Sequence, residues 1–149
     1  MSTLTTLISQ TDLTDKTFER YEVIENQRVS DLTISETQVS GVLFSLSTFT
    51  RVHFKNIDFF ANRFENCEFI DCTFEYCNFQ FSTMIYCDFH RATFIGNHWT
   101  ASTIKKSLVS HCLLDVLTQQ ILSPEENRIM GELSAFEQTM TVILEQIAA

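Results

Sequence analysis

Residues 66–91 read NCEFIDCTFEYCNFQFSTMIYCDFHR, and within them Phe69, Phe74, Phe79, Met84 and Phe89 recur at every fifth position. Cys67, Cys72, Cys77, Ser82 and Cys87 keep the same spacing two residues earlier. A helix repeats its apolar face every 3.6 residues and a strand every 2, so a period of five fits neither ordinary element. A fixed period of this kind is the signature of a repeat architecture.

The register runs outward in both directions. Ile24, Val29, Ile34, Val39, Phe44, Phe49, Phe54, Phe59 and Phe64 precede the quoted stretch, and Phe94, Trp99, Ile104, Val109 and Leu114 follow it, giving nineteen consecutive apolar hits. In a chain that is 44% hydrophobic such a run has a chance probability on the order of one in ten million. Ten of the fourteen phenylalanines lie on it. Two residues before each centre the side chains are mostly small or slim, from Val42 and Ser47 through Asn62, Cys67 and Ala92 to Ser107 and Cys112, which makes a second inward column. The other three positions of each quintet hold nearly all the charges, including Asp58, Arg63, Glu65, Glu68, Asp71, Glu75, Asp88 and Arg91, and face water. Phe44, Phe49, Phe54, Phe59, Phe64, Phe69, Phe74, Phe79, Met84, Phe89, Phe94 and Trp99 are therefore the expected structural core.

At 149 residues the chain has the length of one domain and enough apolar material for a continuous interior. Three glycines and one proline leave little from which to make glycine turns or a flexible linker. The formal charge of −9 argues against direct contact with nucleic acid, whose phosphates are met mainly by lysine and arginine. The excess is mild over residues 22–116, with eleven acids and seven bases, and concentrated in residues 117–149, with five and one. The first residues, MSTLTTLISQTDLTDK, lack a basic leader and a long apolar run, and no stretch approaches the ~20 apolar residues of a membrane span, so a cytoplasmic location is expected. Five cysteines without zinc-type C-x-x-C pairs suit reduced thiols.

Segments such as NCEFID, DCTFEY, YCNFQF and YCDFHR resemble the pentapeptide-repeat family, whose pattern is a small residue, a polar one, a central Phe or Leu, then two more polar ones. The resemblance covers residues 22–116 and implies an all-β fold, a right-handed quadrilateral β-helix of about five coils with four quintets per coil. Residues twenty apart should then stack, and the rod should be roughly 24 Å long at the ~4.8 Å spacing of strands. Cys67 and Cys87 should lie in adjacent coils at a separation compatible with a disulfide.

The ends depart from the pattern. Ile8, Leu13 and Phe18 lie five apart, but Phe18 to Ile24 is six, so residues 1–21 are either an N-terminal cap or an imperfect first coil. Downstream, Ser123-Pro124-Glu125-Glu126 carries an N-cap serine, a first-turn proline and a capping-box glutamate, which predicts a helix to about Ile147. Its apolar residues Ile129, Leu133, Phe136, Met140, Ile143 and Ile147 alternate spacings of four and three, a narrow seam that either caps the last coil or pairs two chains into a homodimer. Residues 117–149 are thus read as connector and C-terminal α-helix.

No catalytic, cofactor-binding or metal residues are assigned. The cysteines follow the structural repeat, and His53, His90, His98 and His111 sit at outward positions with no two twenty apart. Apolar residues at outward positions are more informative: Phe60, Ile70, Tyr76, Phe81, Ile85, Tyr86 and Ile95. Phe60, Phe81, Ile85 and Tyr86 lie near one edge in successive coils and form the candidate partner surface, unless a terminal segment covers them. The reading is a non-catalytic protein-binding rod. The family resemblance implies, as one partner, DNA gyrase or another topoisomerase, bound by DNA mimicry. A toxin-immunity or effector-type adaptor using the aromatic edge, and a structural self-assembly unit, are the alternatives.

Overall fold

The computed structural model describes residues 22–131. They form four strands, β1 (Glu22–Glu25), β2 (Arg28–Ser40), β3 (Val42–Ser45) and β4 (Thr48–Phe60). Ten three-residue strands follow, from β5 (Arg63–Glu65) to β14 (Leu108–Ser110), then one short helix α1 (Val116–Ile121) and a last strand β15 (Arg128–Met130). Pairing is parallel with an offset of twenty: Phe44 stands opposite Phe64, Phe49 opposite Phe69, Phe54 opposite Phe74 and Phe59 opposite Phe79. An offset of four quintets closes one coil, and the result is a four-sided β-solenoid of about five coils. One side is the five-stranded sheet β1-β3-β5-β9-β13, where β9 is Thr83–Ile85 and β13 is Thr103–Lys105; a ten-stranded sheet makes up the other sides.

The interior follows from the period. Ile24 through Phe94 in steps of five are buried, as are Ile104, Val109 and Leu114, while Trp99 at the end of its column is half-buried. Each ring lies flat on the ring one coil on: Phe44 on Phe64 at 4.5 Å, Phe54 on Phe74 at 4.8 Å, and Phe79 on Trp99 at 4.0 Å between centroids. Towards the neighbouring side the same ring presents its edge, as between Phe49 and Phe54 at 65°. Both arrangements set the positive ring edge or an offset face against a negative face. Each buried phenylalanine contributes about 1.5–3 kcal/mol from transfer out of water.

The second inward column satisfies the backbone. Asn62, Asn97 and Asn127 accept from the amide N–H of the residue twenty earlier through Oδ1 and donate through Nδ2 to the carbonyl twenty-three earlier. The five cysteine thiols donate to the carbonyls of Phe44, Phe49, Phe54, Phe64 and Phe89. Among the described residues no buried side-chain nitrogen or oxygen lacks a partner. That column must be slim because it packs beside the backbone; its polar and thiol members satisfy backbone groups, while Val42, Val52, Ile57 and Ala92 fill it with apolar side chains.

The corners are tight turns made almost without glycine. Every corner is a tight turn with positive φ, yet sixteen of the residues there are not glycine, among them Asn26, Asp71, Tyr76 and Phe81. The left-handed conformation costs a β-carbon-bearing residue about 1–2 kcal/mol. It is offset where the corner N–H donates to the next coil, as Tyr76 does to Ile95 and Phe81 to Thr100, at 2.8 and 3.0 Å. The flanking core residues then fix the turn from both sides.

The C-terminal end corrects the sequence reading. Ser123 to Glu126 form a single turn in which Glu126 and Asn127 donate back to the Ser123 carbonyl, and no helix starts there. Ile129, expected on the helix seam, lies in β15 opposite Val109, again twenty residues on. The physical reason is Asn127: its amide is bonded to Ser107 and Ile104 as in the other coils, which returns the chain to the solenoid. The helix that does form, α1, occupies the place of two missing quintets between Leu114 and Asn127. Asp115 caps it, accepting from Thr118 N through Oδ1 at 2.8 Å. The remaining seam residues Leu133, Phe136, Met140, Ile143 and Ile147, and the N-terminal segment 1–21, lie outside the described residues.

Candidate interaction surface

Because each corner residue has a left-handed backbone, its side chain projects from the solenoid, and residues twenty apart make a column along each corner. One column is ionic: Arg51 bonds Asp31 at 2.5 and 3.0 Å, and Arg91 bonds Asp71 at 2.8 and 3.3 Å. The arginine beside each holds the carboxyls of Asp31 and Asp71 below the usual carboxylate range. Elsewhere His53 meets Glu75 at 2.8 Å and Arg63 meets Glu65. Positive and negative groups therefore alternate along the rod.

The aromatic corners are different. Phe81 stands between Ala61 and Ala101 in its column, so nothing of its own size flanks it and it is 59% exposed. Its neighbour is Phe60, half-buried at the end of β4, whose ring meets it edge-on at 5.6 Å. Tyr86 projects from the next corner, 52% exposed, with the Lys106 ammonium 5.7 Å from its ring centroid. Ile85 is half-buried in β9, in register between Glu65 and Lys105. The structure thus places Phe60 and Phe81 together and sets Ile85 and Tyr86 at the adjoining corner, one quintet further on. Tyr76 is as exposed as Phe81 but lies on another corner, over Gly96.

Sequence reasoning missed a second apolar area near the C-terminal end, where the exposed Val116 and Leu117 line a cavity with Gly96 and His98. The signal for it was hidden, because α1 interrupts the period that made the other outward positions readable. Reasoning from the period also passed over Glu68, Asp88 and His90, each of which offers one ligand atom, all within 4.8 Å of one another. Here a signal existed: 68 and 88 are twenty apart, and 90 lies on the same face as 88.

Apart from Cys67, whose thiol is drawn downward by its hydrogen bond with Cys87, the thiols offer little chemistry. All five cysteines are free and buried. Burial pushes Cys72 up to about 11 and Cys77 up to about 12, and Cys112 upward as well. Cys87 is held well above the thiol range by its hydrogen bond with the stacked Cys67 and by burial. A thiol that keeps its proton is a poor nucleophile and metal ligand.

The molecule is thus defined as a repeat solenoid with a decorated outer surface. The family model for pentapeptide repeats matches residues 63–96, in eight copies, so this stretch is a pentapeptide-repeat array. A solved structure of trypsin-treated QnrB1, a plasmid-mediated fluoroquinolone resistance protein, aligns over 86% of this chain and 89% of its own, with 11% identity and a TM-score of 0.20. No curated protein sequence matches the chain. Among the described residues no helix is long and apolar enough to cross a membrane.

Proposed function

We propose that this chain is a non-catalytic rod that binds a protein partner through its aromatic corners. The observation that carries the reading is the exposure of Phe81 and Tyr86, at 59% and 52%, on corners whose amides are tied to Thr100 and Lys105 of the next coil. Large aromatic side chains held out by a rigid frame lose little conformational freedom on binding, which makes them effective anchors. Charge mimicry of DNA is the weaker form of contact here, because Arg51 and Arg91 neutralise Asp31 and Asp71 along the ionic corner. DNA gyrase or another topoisomerase, the partner that the family resemblance implies, is the first to test, and an adaptor for one cognate protein is the alternative.

The test has two steps. Purified chain is titrated into a gyrase supercoiling assay with and without quinolone, and in parallel used as affinity bait with identification by mass spectrometry. Any partner recovered is then measured against Phe81→Ser and Tyr86→Ser at low and high salt. The reading expects binding that survives salt and is lost in the variants. Binding that is unaffected by both substitutions, or that collapses with salt alone, overturns it.

A further inference from the structure

The acidic groups on the ionic corner and its neighbours have cationic partners, but Glu68 and Asp88 do not. They stand directly opposite each other on β6 (Glu68–Ile70) and β10 (Asp88–His90), with the rings of Phe69 and Phe89 stacked beneath at 5.0 Å. Like charges placed opposite one another across a strand pair repel. Arg28 and Arg51 line the groove beside Glu68 without forming an ion pair with it, and the side chains of Glu68, Asp88 and His90 have no hydrogen-bonding or ionic partner among the described residues. His90 lies two residues beyond Asp88, so the pleat carries it on the same outer face. The site therefore brings together two carboxylates and an imidazole nitrogen, none of them committed elsewhere.

We propose that Glu68, Asp88 and His90 form a binding site for a divalent transition cation of the zinc type on this face of the solenoid. Three ligand atoms already within 4.8 Å of one another need only side-chain rotation to reach the roughly 3.4 Å spacing around a tetrahedral ion with bonds of about 2.1 Å. The nitrogen donor selects the metal: imidazole suits zinc and its neighbours, whereas calcium and magnesium prefer all-oxygen sets. The cation cancels the repulsion between Glu68 and Asp88. Three protein ligands leave one coordination position open to water or to a donor from outside the chain. The frame is rigid, because both strands are held in register by the stacked core, so the ion finds its ligands placed in advance.

The experiment is calorimetric titration of zinc chloride into the full-length chain, stripped of metal with chelator, alongside His90→Ala, Asp88→Asn and the control His98→Ala. One equivalent should bind to the parent and to the control, with at least a tenfold loss of affinity in His90→Ala and in Asp88→Asn. Magnesium chloride should give no comparable heat. Cobalt chloride supplies the second readout: visible absorption bands should appear with the parent and be absent with His90→Ala, while circular dichroism shows both chains folded. Failure to bind zinc at millimolar concentration, or binding that is unchanged in His90→Ala, overturns the site.

Discussion

Tyr76 lies against Gly96 one coil on, so close that a Cβ built on Gly96 would stand 2.5 Å from the tyrosine ring. Gly96 also has a φ of +61°, so two separate costs meet at one residue. Gly96→Ala should destabilise by about 1–3 kcal/mol, part from the left-handed backbone and part from the displaced ring. In a Tyr76→Ala background the second part disappears, and the cost of the glycine substitution should fall to roughly 1 kcal/mol. Urea melts of the four chains in this cycle measure the difference, and equal costs in both backgrounds would show that the ring contact contributes nothing.

Phe69 is stacked on both sides, against Phe49 and Phe89, each at 5.0 Å. Its removal leaves a void that neither neighbour can enter without breaking its own strand register. Phe69→Ala should therefore cost about 3–5 kcal/mol in urea melts. A loss under ~1 kcal/mol would contradict a packed interior.

The indole of Trp99 donates to Thr118 Oγ1 at 2.9 Å, which fastens α1 over the end of the Phe59–Phe79–Trp99 column. Thr118 is fully buried, so Thr118→Val leaves the indole N–H without a partner in a dry place. The expected cost is about 1–3 kcal/mol. As the chain has one tryptophan, its fluorescence reports the change directly, and the emission of the variant should shift to the red as water reaches the ring. An unshifted spectrum with unchanged stability would show that α1 is held by other contacts.

The period of five made the solenoid readable because a repeat constrains every coil in the same way: Phe44 is buried for the same reason as Phe64 and Phe69. Legibility ended where one residue changed the rule. Ser123-Pro124-Glu125-Glu126 has the side chains of a helix start, but Asn127 and Ile129 stand twenty residues after Ser107 and Val109, and pairing with β14 outweighs a local capping preference. The corners were unreadable for another reason. Left-handed residues are expected to be glycine, and at Tyr76, Phe81 and Tyr86 the coil-to-coil hydrogen bonds override that preference. At the interaction surface the sequence showed which outward residues were apolar, but not that Phe60 and Phe81 touch while Tyr86 turns onto the next corner.

Asp31 and Asp71 have depressed carboxyl pKa values, chiefly through hydrogen bonds from Arg51 and Arg91. A carboxyl whose folded value lies below its unfolded one adds stability that is present above the unfolded value, ~3.9, and is lost as pH falls through the folded value. Melting temperatures should therefore drop as the pH is lowered from about 5 towards 3. Both pairs are exposed, so the contribution is modest and salt should reduce it. The chain with Arg51→Gln and Arg91→Gln should lose less stability over the same range, and an identical pH profile would show that the ionic corner is idle.

Phe81 and Tyr86 separate surface from scaffold. Both project outward from corners whose backbone bonds do not involve the side chain, so Phe81→Ser and Tyr86→Ser should each cost far less than a core truncation, about 1.5 kcal/mol at most. The two substitutions differ in what the ring touches: Phe81 rests on Phe60, an aromatic pair worth about 0.5–1.5 kcal/mol beyond its buried area, whereas Tyr86 faces the Lys106 ammonium at 5.7 Å, an exposed contact worth about 0.5 kcal/mol. Phe81→Ser should therefore be the more costly of the two, and Phe60→Ser in its background should add less than it does alone. If instead Tyr86→Ser lowers the melting midpoint as far as Phe69→Ala does, the ring is part of the packing, and the aromatic corners hold the rod together before they hold anything else.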